Sequence, residues 1–499
     1  MADFIKIEDV FEGSYGCMHR PPLHCKDDQD MSTRHLPPGI YDNKISKIME
    51  IGEAKKEQRE YSRMDDIDPN GLYHYTAPVR CKPDESTHTK HRITRCKKSG
   101  EDILKGYDGY QLLLIEDGGQ NLSQFVDGIS FHDTRLSTRD RMYRFWYQVR
   151  FILRGLQHMQ ASHTDDRDRL VHLDLKPGNI VYNETTHKLA MIDLGLTTSF
   201  DELATKFERN KFDLMTFHWN FAPELYFCNK PEFERIQSMS LNTYNDYIKG
   251  FEDAVRMNLK RTETEIDAIS QRPHIYKIFN ESLQFLIDFN RLDQKETSEE
   301  YLTSFKAMLD GIRSSDDKTG YDTFIGRVIP RIDVYSMGVS LMSVLSKTRN
   351  QVYDDALFSL FWDMMNPNVY ERIDIATAIR EYDTIWSNHA EFRRWTNTHD
   401  LSIVKDRRSQ QLTTENTESV HSSLVKTPPT VVHIQEKAKS HAQTQVHSPP
   451  ITQKRSPRVP DAPKSKRTRI GGTRRSRRTH RSRRTRRRTH RYRHRNIVI

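Results

Sequence analysis

The plainest regularity in the chain is a helical stripe. Phe145, Trp146, Val149, Ile152, Leu153, Leu156 and Met159 recur every three to four positions and predict a buried helix. Beyond it the period shortens: Ile180-Val181-Tyr182 and Leu189-Ala190-Met191-Ile192 flank the turn Asn183-Glu184-Thr185-Thr186, the pattern of a two-stranded hairpin. Earlier in the chain, residues 44–49 predict a short strand and residues 52–64 a helix on which Glu60, Met64 and Ile67 share one face. The continuous apolar run at 110–115 predicts a buried strand, and residues 79–107, rich in Lys, Thr and Ser, read as a long loop. Helical periodicity returns at 279–289 and 301–312.

Charge divides the chain in two. Residues 401–499 hold 26 Lys and Arg against 5 Asp and Glu, a balance of +21 that leaves −12 for residues 1–400 out of the overall +9. From about residue 400 apolar residues become scarce, which predicts a disordered tail at 400–499. Its end, residues 464–495, carries 17 Lys or Arg and no acid, and so predicts binding to nucleic acid or another polyanion through phosphate neutralisation, with an import signal as the alternative. Five irregularly spaced cysteines point to a reducing compartment and not to a disulfide framework. Cys81, His88, His91 and Cys96 form a weaker zinc candidate whose spacing matches no usual ligand pattern. The opening MADFIKIEDVFEG has neither the basic nor the apolar region of a secretory signal, and no apolar run reaches bilayer length, so no membrane partner is expected.

The candidate chemistry lies in LVHLDLKPGNIVYNETTHKLAMIDLG, residues 170–195. Phosphoryl transfer from a nucleotide needs a carboxylate to accept a hydroxyl proton, a cation near the moving phosphoryl group and two oxygen ligands for magnesium. Asp174, Lys176, Asn179 and Asp193 supply these in order, and the hairpin brings Asn179 and Asp193 to the same end. The stretch resembles the catalytic and metal-binding loops of eukaryotic-type protein kinases, with HLDLKPGN and DLG as its motifs. Further matches are Ala222-Pro223-Glu224, Asp333-Val334-Tyr335-Ser336-Met337-Gly338, and Arg372 as the partner of Glu224. These late motifs, with Lys176, separate the chain from the small-molecule phosphotransferases that share the H-x-D-x-x-x-x-N pattern. The pairing of GSYGC with PPLHC, Gly118-Gly119 and the extra residues between Glu224 and Asp333 narrow the resemblance to the Ser/Thr kinases of large nucleocytoplasmic DNA viruses over residues 8–385.

The resemblance implies an α+β, bilobal fold: a small lobe at 1–118, a large helical lobe at 119–399 with a helical insert at 226–329, and then the tail. It implies ATP and Mg2+ as cofactors and protein substrates as partners, in a host cytoplasm or nucleus or within a virion. Gly13, Ser14, Tyr15 and Gly16 would cover the phosphates, and Lys47 would reach them, held by Glu60 or by Glu57 one turn earlier. Asp68-Pro69-Asn70 would close that helix. Ile115 would be the gatekeeper, and the backbone of Glu116 and Gly118 would face adenine. Phe11 and Met18 replace the usual Gly and Val of the phosphate loop. Leu173 stands where such kinases have an Arg that grips a phosphorylated activation segment, here residues 196–221, so activity should not need that phosphate. A pseudokinase that acts as a polyanion scaffold is the other reading.

Overall fold

The computed structural model describes residues 9–13, 16–26, 39–128, 136–161, 169–212, 220–260, 279, 283–284, 294–316, 318–347 and 353–399. Ser14, Tyr15, part of the segment 196–221, most of 279–289 and the basic tail lie outside the described residues. The fold is mixed α+β.

Five strands form one antiparallel sheet: β1 (Asp9–Gly13), β2 (Gly16–Arg20), β3 (Lys44–Glu50), β4 (Val79–Cys81) and β5 (Tyr110–Glu116), in the order β1-β2-β3-β5-β4. Because successive side chains in a strand point to opposite faces, the sheet has two apolar sides. Ile48, Leu112 and Leu114 belong to one cluster and Met49, Leu113 and Ile115 to another. Helix α1 (Ile51–Ile67) follows β3 without a loop and covers the second side, burying Ala54, Glu57, Glu60, Tyr61 and Met64. Asp68 ends it: its carboxylate accepts from the Tyr73 N–H at 3.0 Å and meets Nδ1 of the buried His74 at 2.9 Å.

The stretch expected to be a long loop at 79–107 is folded. It contains β4 and the helices α2 (Thr87–Ile93) and α3 (Gly100–Lys105), which bury Ile93 and Ile103 in the cluster of Ile48 and Leu112. Its polar residues are the exposed side of two short helices, each too short to announce an amphipathic period. The expectation of reduced cysteines is also overturned, since Cys17–Cys96 and Cys25–Cys81 are disulfides and only Cys228 is free. With Cys81 and Cys96 in different bridges, the zinc quartet Cys81, His88, His91 and Cys96 does not exist. By chain entropy, crosslinks 79 and 56 residues apart each stabilise the fold by on the order of 4 kcal/mol.

The remaining described residues are mainly helical. Leu136–Gln160 carries the expected stripe, fully buried from Phe145 to Met159 at the seven positions named. Between Glu224 and Asp333 lie helices Lys230–Gln237, Leu241–Lys260, Gln294–Arg313 and Gly320–Val328. Tyr301, Phe305, Met308, Leu309 and Ile312 form the buried side of the third, and the Phe279 ring lies 5.0 Å from those of Phe251, edge to face, and Phe305, tilted. Helix Ile332–Lys347 runs through the centre, buried at every position from Ile332 to Ser346. Together with the preceding turn and helix it makes a 28-residue span, Gly320–Lys347, that is long and apolar enough to cross a bilayer, contrary to the expectation that no run would be. The most apolar window of that span is 89% buried inside the fold, as a core helix requires.

Candidate functional site

The sheet and the helical part face each other across a cleft with about 170 Å³ of free space. Its lining brings Phe11, Gly16 and Met18 from the β1–β2 hairpin together with Lys47, Glu57, Ile115, Glu116, Gly118, Asn179 and Asp193. Gly16 is required by close approach: a Cβ there would sit 2.7 Å from the Ile48 carbonyl oxygen. Gly118 is similarly confined, since a Cβ would fall 2.5 Å from Val181 Cγ2 on the cleft wall. Gly13 ends β1, opposite Gly16 in the ladder.

Lys47 is buried and forms two ion pairs, with Glu57 at 2.7 Å and with Asp193 at 3.0 Å. Burial alone would lower the Lys47 pKa, but the two carboxylates raise it well above that of a free lysine, so the ammonium persists. Burial opposes the charge on Asp193 as well, yet Lys47 holds that carboxyl below its ordinary value. Burial pushes Glu57 up, with Lys47 pulling against it.

The partner of Lys47 is therefore Glu57, and the assignment to Glu60 is corrected. Helix α1 starts at Ile51 directly from β3, so the face it turns toward the cleft runs through Ala54, Glu57, Tyr61 and Met64. Glu60 is on the edge of that face and pairs with Arg63 at 2.9 Å and Arg59 at 3.2 Å. It is nearly as buried as Glu57, which is why periodicity alone did not separate them.

Across the cleft, the loop after the short strand Leu170–Val171 is held by one buried carboxylate. Asp333 accepts from the backbone N–H of His172 at 2.7 Å and of Leu173 at 3.0 Å. Leu173 has a left-handed backbone, φ 65°, unusual for a branched residue and tolerated where surrounding contacts fix it. Its side chain belongs to the main apolar core. His172 is buried and meets the Ile192 carbonyl oxygen at 3.1 Å, tying this loop to the one that carries Asp193.

These anchors bring four predicted residues into reach of one another. Lys176 Nζ donates to both oxygens of Asp174, at 3.0 and 2.9 Å. Asn179 Nδ2 donates to Asp174 Oδ2 and to its carbonyl oxygen, both at 2.8 Å. The Ile192 N–H donates to the Asn179 carbonyl at 3.0 Å, so the hairpin Ile180–Asn183 and Lys188–Met191 sets Asn179 and Asp193 side by side. Asp193 also has a left-handed backbone, φ 61°.

Several residues that position the site were not singled out in the sequence. Asn220 donates to the Leu175 carbonyl at 2.6 Å and is itself held by the Ser336 hydroxyl on its carbonyl at 3.1 Å. Arg20 bonds Asp117 at 2.5 Å and the Gly119 carbonyl at 3.0 Å, linking β2 to the segment after β5. Asp333 was noted only as part of a motif, and nothing in its spacing points to the two N–H groups it receives. Farther off, Arg372 meets Glu224 through two parallel bonds of 2.5 and 2.9 Å with both side chains fully buried, the pairing that the sequence suggested.

The arrangement offers two oxygen ligands, Asn179 and Asp193, and a buried ammonium, Lys47, on the lining of one cleft, with the Asp174 carboxylate and its Lys176 ammonium bonded to Asn179 just outside that lining. No family model matches the chain, and no curated protein matches it.

Proposed function

We propose that the chain is a Ser/Thr protein kinase with a bilobal protein-kinase fold, transferring the γ-phosphoryl group of ATP to protein hydroxyls. The observation that supports this most is the charge chain across the cleft, Glu57–Lys47–Asp193, set beside the Asp174, Lys176 and Asn179 cluster. Lys47 takes the α and β phosphates, and the backbone of Glu116 and Gly118 takes the adenine edge. Asp174 accepts the proton of the acceptor hydroxyl as the hydroxyl oxygen bonds to the γ phosphorus, the bond from that phosphorus to the β–γ bridging oxygen breaks and ADP leaves, and Lys176 stays against the transferring group.

The donor set suits magnesium, which takes oxygen ligands and supplies charge neutralisation between phosphates when bound. Asn179 spends its Nδ2 on Asp174, so Oδ1 is the atom it can offer. Asp193 gives Oδ1 to Lys47 and keeps Oδ2 for the ion. Every charged position the chemistry needs is filled, which favours an active enzyme over a pseudokinase scaffold. The proposed setting is intracellular or within a virion, with the Arg-rich tail binding nucleic acid by charge.

The test is incubation of the full chain and its Asp174→Asn form with labelled ATP, Mg2+ and a panel of basic and acidic proteins. The native chain is expected to label Ser or Thr. Removal of the base should lower the rate by about 10²–10⁴-fold. Equal rates in both forms overturn the assignment of Asp174, and phosphotyrosine as the sole product overturns the acceptor class.

A further inference from the structure

Both disulfides join the same two pieces of chain. Cys17 and Cys25 lie on β2 and the segment just after it, whereas Cys96 and Cys81 belong to the cap made by β4, α2 and α3. Cys17 immediately follows Gly16 and precedes Met18, both of which line the cleft. It pairs in the ladder with Ile48, next to the Met18 and Lys47 pair. A displacement of β2 thus moves the wall of the cleft that faces Lys47.

Besides the bridges, the cap is held by the pairing of β4 with β5, by a small apolar cluster and by polar ties to the segment after β2. Its buried cluster has ten residues, four of them the half-cystines, and the others are Leu23, Ile48, Ile93, Ile103, Leu112 and Leu114. Polar ties include the bonds of Arg92 to the carbonyls of Pro21 and Pro22, the ion pair of Lys26 with Glu85 at 2.6 Å, and backbone bonds from Lys26 to Lys82 and from Asp84 to His24. Beside one bridge lies His19, fully buried, with Nε2 3.5 Å from Cys96 Sγ and Nδ1 unpartnered. Burial, with Arg92 and Arg95 nearby, keeps its ring neutral against that sulfur.

We propose that Cys17–Cys96 and Cys25–Cys81 form a thiol–disulfide switch on the cap that sets the nucleotide affinity of the cleft. The inference rests on the kinase reading of that cleft. In forming each bridge, two thiols give two electrons and two protons to a small-molecule disulfide, which leaves as two thiols; a dithiol reductant reverses the exchange. Oxidised, the bridges clamp β2 to the cap and keep the phosphate-facing wall in place. Reduced, β2 keeps its ladder, the Arg20–Asp117 pair and the hydrogen bonds of the segment after it, but loses both covalent ties to the cap. Cys228 takes no part, being buried elsewhere with its thiol pKa raised by burial.

The experiment compares the full chain equilibrated with oxidised or reduced glutathione. Peptide mapping without reductant identifies the bridges, hydrogen exchange follows residues 9–20 and 79–109, and calorimetry gives the affinity for Mg-ADP. Oxidation is expected to yield the two named pairs, slow exchange in both segments and tighten Mg-ADP several-fold. The Cys17→Ser/Cys96→Ser chain should lose most of that response, and Cys228→Ser should keep all of it. Equal affinity and equal exchange in the two states, with the bridges shown to form, overturn the proposal, as does failure of the bridges to form. Slowed exchange with no Mg-ADP binding in either state overturns the nucleotide reading, and the coupling with it, while leaving the clamp itself demonstrated.

Discussion

The two walls of the cleft are held by different kinds of force. On the helical side, loop 172–179 hangs on buried hydrogen bonds inside a large apolar core, with Asp333 under His172 and Leu173 and Asn220 under Leu175, and the buried Arg372–Glu224 ion pair lies farther off in the same core. On the sheet side, one apolar cluster of ten residues carries two crosslinks, a smaller one lies under α1, and the Lys47 ammonium is placed by two carboxylates that burial opposes. The first wall is fixed by depth, so each anchor should be costly to remove and insensitive to solution conditions. The second is fixed by charge and sulfur and should respond to pH and to redox state. The sharpest test of that contrast is to break one anchor on each side.

The largest effect is expected at Arg372. Replacing it with Ala leaves the fully buried Glu224 carboxylate without its counter-charge, and losing one partner of a buried pair costs about 3–5 kcal/mol. Denaturant unfolding of Arg372→Ala measures this directly. A loss comparable to an exposed pair, under about 1 kcal/mol, would mean that water reaches Glu224 and that this wall is not held by depth.

Next comes the pH response of the sheet side through His19. Burial, with Arg92 and Arg95, lowers its pKa from 6.5 to about 4. The unfolded chain therefore takes up a proton near pH 6.5 that the folded chain refuses until about pH 4, so stability falls as pH drops through that window. The full loss is on the order of 3 kcal/mol. Thermal unfolding of the native chain and of His19→Asn between pH 7 and 4 isolates it. A native profile that matches the variant would show that the folded chain accommodates the proton.

How much of this was legible in the sequence follows the same division. The helical side announced itself because its working residues sit in one continuous stretch, and its core helices are long enough for a period to show, as in Phe145 to Met159. The hairpin that joins Asn179 to Asp193 was legible for the same reason. The sheet side was assembled from distant pieces: Cys17 with Cys96, Cys25 with Cys81, Arg20 with Asp117. Irregular spacing along the chain gave no sign of those pairings, and two helices of seven and six residues hid in a polar stretch. Asp333 was visible as a motif but not as the acceptor of two N–H groups 160 residues away, because the sequence carries no record of which backbone a buried carboxylate will satisfy.

The smallest effect sharpens the one assignment the sequence left divided, between Glu57 and Glu60. Both are buried on α1, but only Glu57 touches Lys47. Glu57→Gln removes a charge from a coupled buried group, so Lys47 should turn wholly toward Asp193, and Mg-ADP affinity and phosphoryl transfer should both fall. Glu60→Gln leaves Lys47 untouched. Its own partners, Arg59 and Arg63, have side chains 68% and 33% exposed, so the loss should be about 0–1 kcal/mol of stability with transfer unchanged. Parallel calorimetry and rate measurements on the two variants decide the matter. If Glu60→Gln were the one to lose transfer, α1 would have to turn by about 60° for the proposed reaction, since three residues of helix advance the face by some 300°. The contact between Glu57 and Lys47 would then belong to a resting arrangement of the helix.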